Sequence, residues 1–267
     1  MPDIFHYEFM IRAFAAGLIV GVVAPAIGIF LVVKRYSLLA DTLSHVSLVG
    51  VAAGALIGVN PIVGALVAST LAAFGMERLR EGTTIFGESI LALFLSGGLA
   101  IAVVMLGLSH NLGVNIFAYL FGSITTVTAG DIRLIGLFGL IVTAAVAWQF
   151  KRFFLIAYNE ELARANGLPV ELLNVVLMIL AAMTVALSMR VVGILLVGAL
   201  MVIPVLSAVQ FRRSFRRTVS LAILCSLAAV FTGLFASFYL NLPSGSAIVV
   251  VCLLLFALSL ALNRQRS

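Results

Sequence analysis

The chain reads as long apolar runs separated by short polar punctuation, and several of the runs approach or exceed about 20 residues, the length of a membrane-spanning helix. The first extends from about Phe9 to Val33 and meets Lys34-Arg35. A second, about Leu38 to Gly58, ends at the turn signal Val59-Asn60-Pro61. A third, Ile62 to about Met76, is closed by the charged Glu77-Arg78-Leu79-Arg80-Glu81, and a fourth runs from about Ile85 to Leu108. Ser109 to Asp131 breaks the rhythm. Its apolar part, Ile116 to Phe121, is short and passes into a Ser/Thr-rich stretch. A crossing there would put Lys151-Arg152 opposite the other basic clusters, so the segment is predicted to be re-entrant or interfacial and buried by its neighbours.

Asp131, after Gly130, is positioned to cap a helix over Ile132 to Phe150. A polar loop follows, about residues 157–169, in which Leu162 and Ala165 alternate with charges and Gly167 and Pro169 form a stop signal. A hairpin of spans is predicted next, about Leu172 to Met189 and Val191 to Phe211, turning at Arg190 and kinked at Ile203-Pro204. Val219 to Tyr239, a turn at Asn241 to Gly245, and Ala247 to Leu262 complete the chain. The pattern predicts an all-α polytopic membrane protein of eight to nine transmembrane helices, one domain over residues 1–267.

Composition agrees: 63% of the 267 residues are hydrophobic and 10% charged, with a mean hydropathy of +1.26. An average soluble domain is about 25% charged. The net charge of +6 does not point to nucleic acid, because the cations sit in short clusters between spans: Lys34-Arg35, Arg78 and Arg80, Lys151-Arg152, and Arg212 to Arg217. That is the positive-inside pattern, which orients the C-terminus to the cytoplasm. Cys225 and Cys252 lie in apolar runs without CxxC spacing and read as small core hydrophobes. The N-terminus carries no basic leader or small-residue cleavage site, so no removable signal peptide is expected.

No GxxxxGK[ST] phosphate loop occurs, and no Ser/His/Asp or Cys/His set suggests hydrolysis. The protein is therefore expected not to be an enzyme; uphill movement would need a gradient or a separate subunit. Ionisable groups inside a membrane are costly and usually mark a pathway, a partner or an ion. Asp41 and His45, four residues apart, stack on one helical face. Carboxylate oxygen with imidazole nitrogen suits zinc or manganese. The plainer alternatives are a helix-start acid at the interface and a hydrogen-bonded core imidazole. Glu88 reads first as a carboxylate favouring a helix N-terminus. His6 and His110 read as solvated, and Arg190 as reaching to the interface. In the polar loop, Glu161 offers charge to a partner, small Ala163 permits close approach, and Gly167 ends the helix. A helix of that form on the cytoplasmic side would suit docking to another protein.

Lys34-Arg35-Tyr36-Ser37-Leu38-Leu39-Ala40-Asp41-Thr42-Leu43-Ser44-His45-Val46-Ser47-Leu48-Val49-Gly50-Val51-Ala52 is similar to the RRMS-x-x-GD-[AT]-L-[SA]-HA-x-x-GVA signature of the metal-ion permeases of bacterial ABC transporters. Ala40 stands where Gly is frequent and Val46 where Ala is frequent, which could alter how closely a neighbouring helix packs. Asn60-Pro61, Ala118 to Ser123, Val192-Gly193 and Pro243-Ser244-Gly245 also fit, and the polar loop resembles the coupling loop of those permeases. The zinc-importing permeases are the nearest by resemblance, with manganese or iron importers of the same family as alternatives. A proton-coupled secondary metal transporter is a further one, since Asp41 and His45 could form a relay. The resemblance implies an ABC importer permease fold, with Asp41 and His45 in the metal pathway and Glu161, Ala163 and Gly167 at the ATPase contact. It also implies a homodimer in the bacterial inner membrane, two ATPase subunits and a periplasmic or surface-anchored binding protein. No permanently bound cofactor is expected, only the transported divalent metal.

Overall fold

The computed structural model describes residues 3–108, 120–123, 125, 127–189 and 191–264. After a short 3-10 turn, Asp3–His6, the order is α1 Glu8–Val33, α2 Leu38–Ile57, α3 Pro61–Gly82, α4 Gly87–Leu108, α5 Ala129–Tyr158, α6 Glu160–Ala165, α7 Val170–Ser188, α8 Val197–Val209, α9 Phe215–Leu240 and α10 Ser244–Arg264. Eight of these are long and apolar enough to cross a membrane, and the described residues contain no strand. The chain is an all-α polytopic membrane protein.

Local chemistry sets the boundaries. Asn60 caps α3 by accepting from the Ile62 amide (2.9 Å), with Pro61 in the first turn, where its missing N–H costs nothing. The other end of α3 runs past the expected stop at Met76 to Gly82, because Glu77 and Arg80 pair within one turn, at 2.6 and 3.0 Å. The fully buried Glu77 carboxylate is thus satisfied from its own helix. At the start of α5 the cap is Thr128, not Asp131. The Thr128 side chain accepts from the Asp131 amide (3.2 Å) and the Asp131 carboxylate accepts from the Thr128 amide (3.0 Å), a reciprocal capping box.

Helix α1 lies against α5, α7, α8 and α9, while α2 lies against α3, α4, α7 and α8. The ends of α1 and α3 meet the starts of α6 and α7 through Lys34, Arg80, Glu160 and Asn174. This defines a basic end of the bundle, toward which α1, α3 and α5 run. Helix α4 leaves that end and α5 returns to it, and residues 120–123 of the chain between them lie at the opposite end. Residues 109–119, 124 and 126 of that segment, His110 among them, lie outside the described residues, as does Arg190.

At the opposite end three chain turns interlock. Gly122 (φ 75°) and Gly193 (φ 87°) take the left-handed backbone that glycine permits, and a side chain on either would strike the backbone of the other's turn. The Leu195 amide donates to Leu120 O (3.2 Å) and Ser244 Oγ donates to Val191 O (3.0 Å). This junction corrects the predicted Val191 to Phe211 span: residues 191–196 turn, and the helix starts only at Val197. Thirteen residues make a helix of about 20 Å at 1.5 Å per residue. That is short of a hydrocarbon core of about 30 Å.

Candidate functional site

Between Leu39 and Gly54, every position of α2 is buried except Asp41, His45, Val49 and Ala53. These four recur once per turn, so they form a single partly exposed stripe on a helix otherwise wrapped by its own chain. Both ionisable groups of the span lie on it. The wrapping is close. At Gly50 and Gly64 the backbones of α2 and α3 touch with no room for a side chain, and Gly98 of α4 packs on Val46 and the His45 backbone. Val46 is therefore one of the α2 residues that α4 meets.

Two hydroxyls of α2 are occupied by backbone, Ser44 Oγ donating to Asp41 O (2.7 Å) and Thr42 Oγ1 to Leu38 O (3.0 Å) and Leu91 O (3.3 Å), whereas Ser47 Oγ is buried without a partner. His45 Nδ1 is likewise buried and has no hydrogen-bond partner. The Asp41 carboxylate lies against Gly198 in the first turn of α8, so closely that a methyl group on Gly198 would overlap it. A carboxylate is favoured there by the free amides and positive dipole end of the helix. Among the described residues no third His, Cys, Asp or Glu completes a metal-binding group with Asp41 and His45. One chain therefore offers one oxygen ligand, set against the start of α8, and one nitrogen ligand, buried, on a half-buried stripe.

The polar loop holds α6, a helix of one and a half turns capped by Asn159, whose side chain accepts from the Leu162 amide (2.9 Å). Glu161 is exposed, as is Gly167, which takes a left-handed φ of 73° with open space around it. Ala163 is fully buried against the chain's own core, so its small size seats α6 on the bundle. The acid that ties α6 down is Glu160. Its Oε1 accepts from Lys34 Nζ (2.6 Å) and Asn174 Nδ2 (3.1 Å) and lies 3.6 Å from Arg80 Nη1. Lys34 Nζ also donates to Asn174 Oδ1 (2.6 Å), and Arg80 Nη1 to Tyr36 Oη (2.8 Å).

Burial alone would raise the Glu160 carboxyl, but the Lys34 hydrogen bond and the Lys34 and Arg80 charges outweigh it and hold it below its ordinary 4.5. Burial pushes Lys34 down from 10.5, and Arg80 adds to that while opposing the pull of Glu160. The two partners do not gain alike because the more deeply buried Lys34 loses most to burial, and Arg80 adds to the difference by favouring ionised Glu160 and disfavouring ionised Lys34. Glu88 is exposed in the first turn of α4, and His6 is exposed beyond α1.

Glu160 and Gly198 were not singled out from the sequence. Glu160 is adjacent to Glu161 in a helix too short for periodicity to tell them apart, and Gly198 sits in an apolar run like many other glycines.

The sequence profile of the ABC 3 transport family matches residues 6–263. The chain is 31% identical over 260 residues to the high-affinity zinc uptake system membrane protein ZnuB of Haemophilus influenzae, covering 97% of this chain and 99% of that one. It is 27% identical over 256 residues to the manganese transport system membrane protein MntC of Listeria monocytogenes, covering 96% and 91%. Among solved structures, PsaBC from Streptococcus pneumoniae in complex with Fab superposes with a TM-score of 0.87 at 27% identity, over 96% of this chain and 92% of that one.

Proposed function

This chain belongs to the ABC 3 transport family, and from that premise we propose that it is the membrane-spanning permease subunit of an ATP-driven importer of divalent metal, zinc first. The observation that carries the reading is the α2 stripe: an unpartnered imidazole nitrogen and a carboxylate, one turn apart, on the face of α2 that its own chain covers least between Leu39 and Gly54. Asp41 stands in the first turn of α2, and an Asp facing lipid costs at most about 2.5–3.5 kcal/mol, the insertion-scale figure for the centre of a span. Protein or water is therefore the natural cover for this face, and a second copy of the chain would bring its own Asp41 and His45 to it. Two such pairs would make the four-ligand set that zinc favours. Each subunit alone holds too little to trap the ion, which suits a cargo that must leave.

Zinc is placed first because of the nitrogen ligand and the 31% identical zinc-system relative. Manganese or iron is the second reading, supported by the manganese-system relative. In this proposal two ATPase subunits dock on the α6 segments through Glu161 and Gly167, while Ala163 lets α6 lie flat on the bundle. ATP-driven movement of α6 would pass through Glu160 to Lys34, at the end of α1, and so to the start of α2 four residues later. Asp41 and His45 would then alternate between the two sides. A binding protein would deliver the metal at the outer face of a bacterial cytoplasmic membrane.

The test is uptake in proteoliposomes holding the chain with its ATPase subunit. ATP-dependent zinc accumulation that competes poorly with manganese, and is abolished by Asp41→Ala and by His45→Ala, is expected. Proton-driven uptake by the chain alone would overturn the reading in favour of a secondary transporter. Accumulation by both variants at the normal rate would remove the pathway from α2.

A further inference from the structure

We propose that the cleft between α5 and α9 at the basic end is a binding site for an anionic phospholipid, its phosphate held by Lys151, Arg152 and Arg216. Both helices pack on α1, leaving an open hollow of about 580 Å³ between them. Lys151, Arg152, Arg216 and Ser220 line it together with Trp148 and Phe150. A second hollow of about 280 Å³ shares Phe150, Lys151 and Arg216 and extends it toward Phe154 and Phe215. The floor is aromatic: Phe150, Phe154 and Phe215 pack ring to ring at 4.6–5.5 Å, and Phe30 of α1 closes the bottom.

The three cations differ from two others at the basic end. Lys34 and Arg80 are committed to Glu160 and Glu77. Among the described residues no carboxylate pairs with Lys151, Arg152 or Arg216. Arg152 contacts only the neutral Gln149 (3.2 Å), and the Arg216 guanidinium lies 5.9 Å from the centre of the Phe150 ring. Three cations converging on a cleft without an acid leave positive charge for an anion, and arginine presents donors suited to phosphate oxygens.

Position selects a lipid over a soluble anion. Trp148, 84% exposed, precedes the cations by one turn, where interfacial tryptophans sit at the headgroup level. Deeper along the same two helices Leu140, Ile141 and Leu224 are exposed, a track for acyl chains below the phosphate. Basic pockets between helices on the cytoplasmic side are where anionic headgroups bind. The cleft is also separate from the α2 stripe, because α7 and α8 stand between α2 and the α5–α9 side. The inference therefore does not depend on which metal is carried, or on transport at all.

Native mass spectrometry of the purified full chain in detergent, titrated with phosphatidylglycerol or phosphatidylcholine, tests it. Retention of phosphatidylglycerol at least tenfold tighter than phosphatidylcholine is expected, falling to the phosphatidylcholine level in Lys151→Gln/Arg152→Gln/Arg216→Gln. If that triple variant fails to fold, Arg216→Gln alone should lower retention several-fold. Arg212→Gln/Arg213→Gln, which removes charge outside the cleft, should retain the lipid as the unaltered chain does. Equal losses in the two multiple variants would reduce the effect to net charge and overturn the site. Equal retention of both lipids would overturn it too, as would displacement of phosphatidylglycerol by millimolar inorganic phosphate, which would indicate a free-anion site. Loss of ATPase association on substituting the three cations, with lipid retention unchanged, would reassign the cleft to that partner.

Discussion

Lys34 Nζ lies 2.6 Å from Glu160 Oε1, joining the end of the first span to the short helix α6, 126 residues later. The Lys34 side chain is only 6% exposed and Glu160 31%. Removing one partner of a buried pair strands the other charge, which is worse than removing both. Glu160→Gln is expected to destabilise by about 3 kcal/mol, the low end for such pairs because Glu160 keeps some solvent. Lys34→Met/Glu160→Gln should regain most of the lost melting temperature without regaining ATP-coupled uptake. If uptake returns with stability, the pair is structural and transmits nothing.

The same contact fixes the sign of a pH dependence. Glu160 is held below its ordinary 4.5 in the folded chain, so its contribution is fully present above that value and is lost as pH falls through the lowered one. The melting temperature is expected to be level from about pH 7 to about pH 5 and to fall on further acidification. Glu160→Gln should lower the plateau and make the acid fall shallower. A variant whose acid limb superposes on the unaltered one, merely shifted down, would assign the acid loss to other carboxylates.

Gly198 matters through what it leaves room for. Gly198→Ala would drive a methyl into the Asp41 carboxylate, an overpacking worth about 1–3 kcal/mol. Removing the carboxylate should relieve it, so Gly198→Ala/Asp41→Ala is expected to melt above Gly198→Ala while both fail in metal uptake. Strictly additive stabilities in that double-mutant cycle would show that the two positions do not meet.

The spans themselves were legible because an apolar run of membrane length has few alternatives, and the charge clusters gave their direction. What the residue pattern missed was decided by partners far away in the chain. The run Val191 to Phe211 has no polar residue before Ser207, yet Gly122, Gly193 and Ser244 hold its first residues in a turn. Thr128 outranks Asp131 as the cap because the two share a reciprocal box, which reading either residue alone conceals. Glu160 and Glu161 differ in role only through the phase that Asn159 imposes on a short helix. Asp41 and His45 were found readily, since an acid and an imidazole in a span stand out. That they share the one half-buried stripe of α2 between Leu39 and Gly54 required knowing which faces α3, α4, α7 and α8 cover.

That stripe gives the most direct test of what lies opposite it. Val49 and Ala53 continue the Asp41–His45 face by one and two turns and carry no ligand atoms. If a second copy covers the face, Val49→Cys or Ala53→Cys should bring two thiols near the axis relating the copies. In a background with Cys225→Ala and Cys252→Ala, mild oxidation in membranes is then expected to give a covalent dimer on a non-reducing gel. Leu224→Cys, exposed on α9 away from α2, should remain monomeric under the same conditions. Added zinc should protect the Val49→Cys thiol from a membrane-impermeant maleimide if the ion rests beside it, and Asp41→Ala should remove that protection. A dimer from Leu224→Cys with none from the stripe would put the partner on another face, leaving Asp41 and His45 to line a water-filled cavity within one chain.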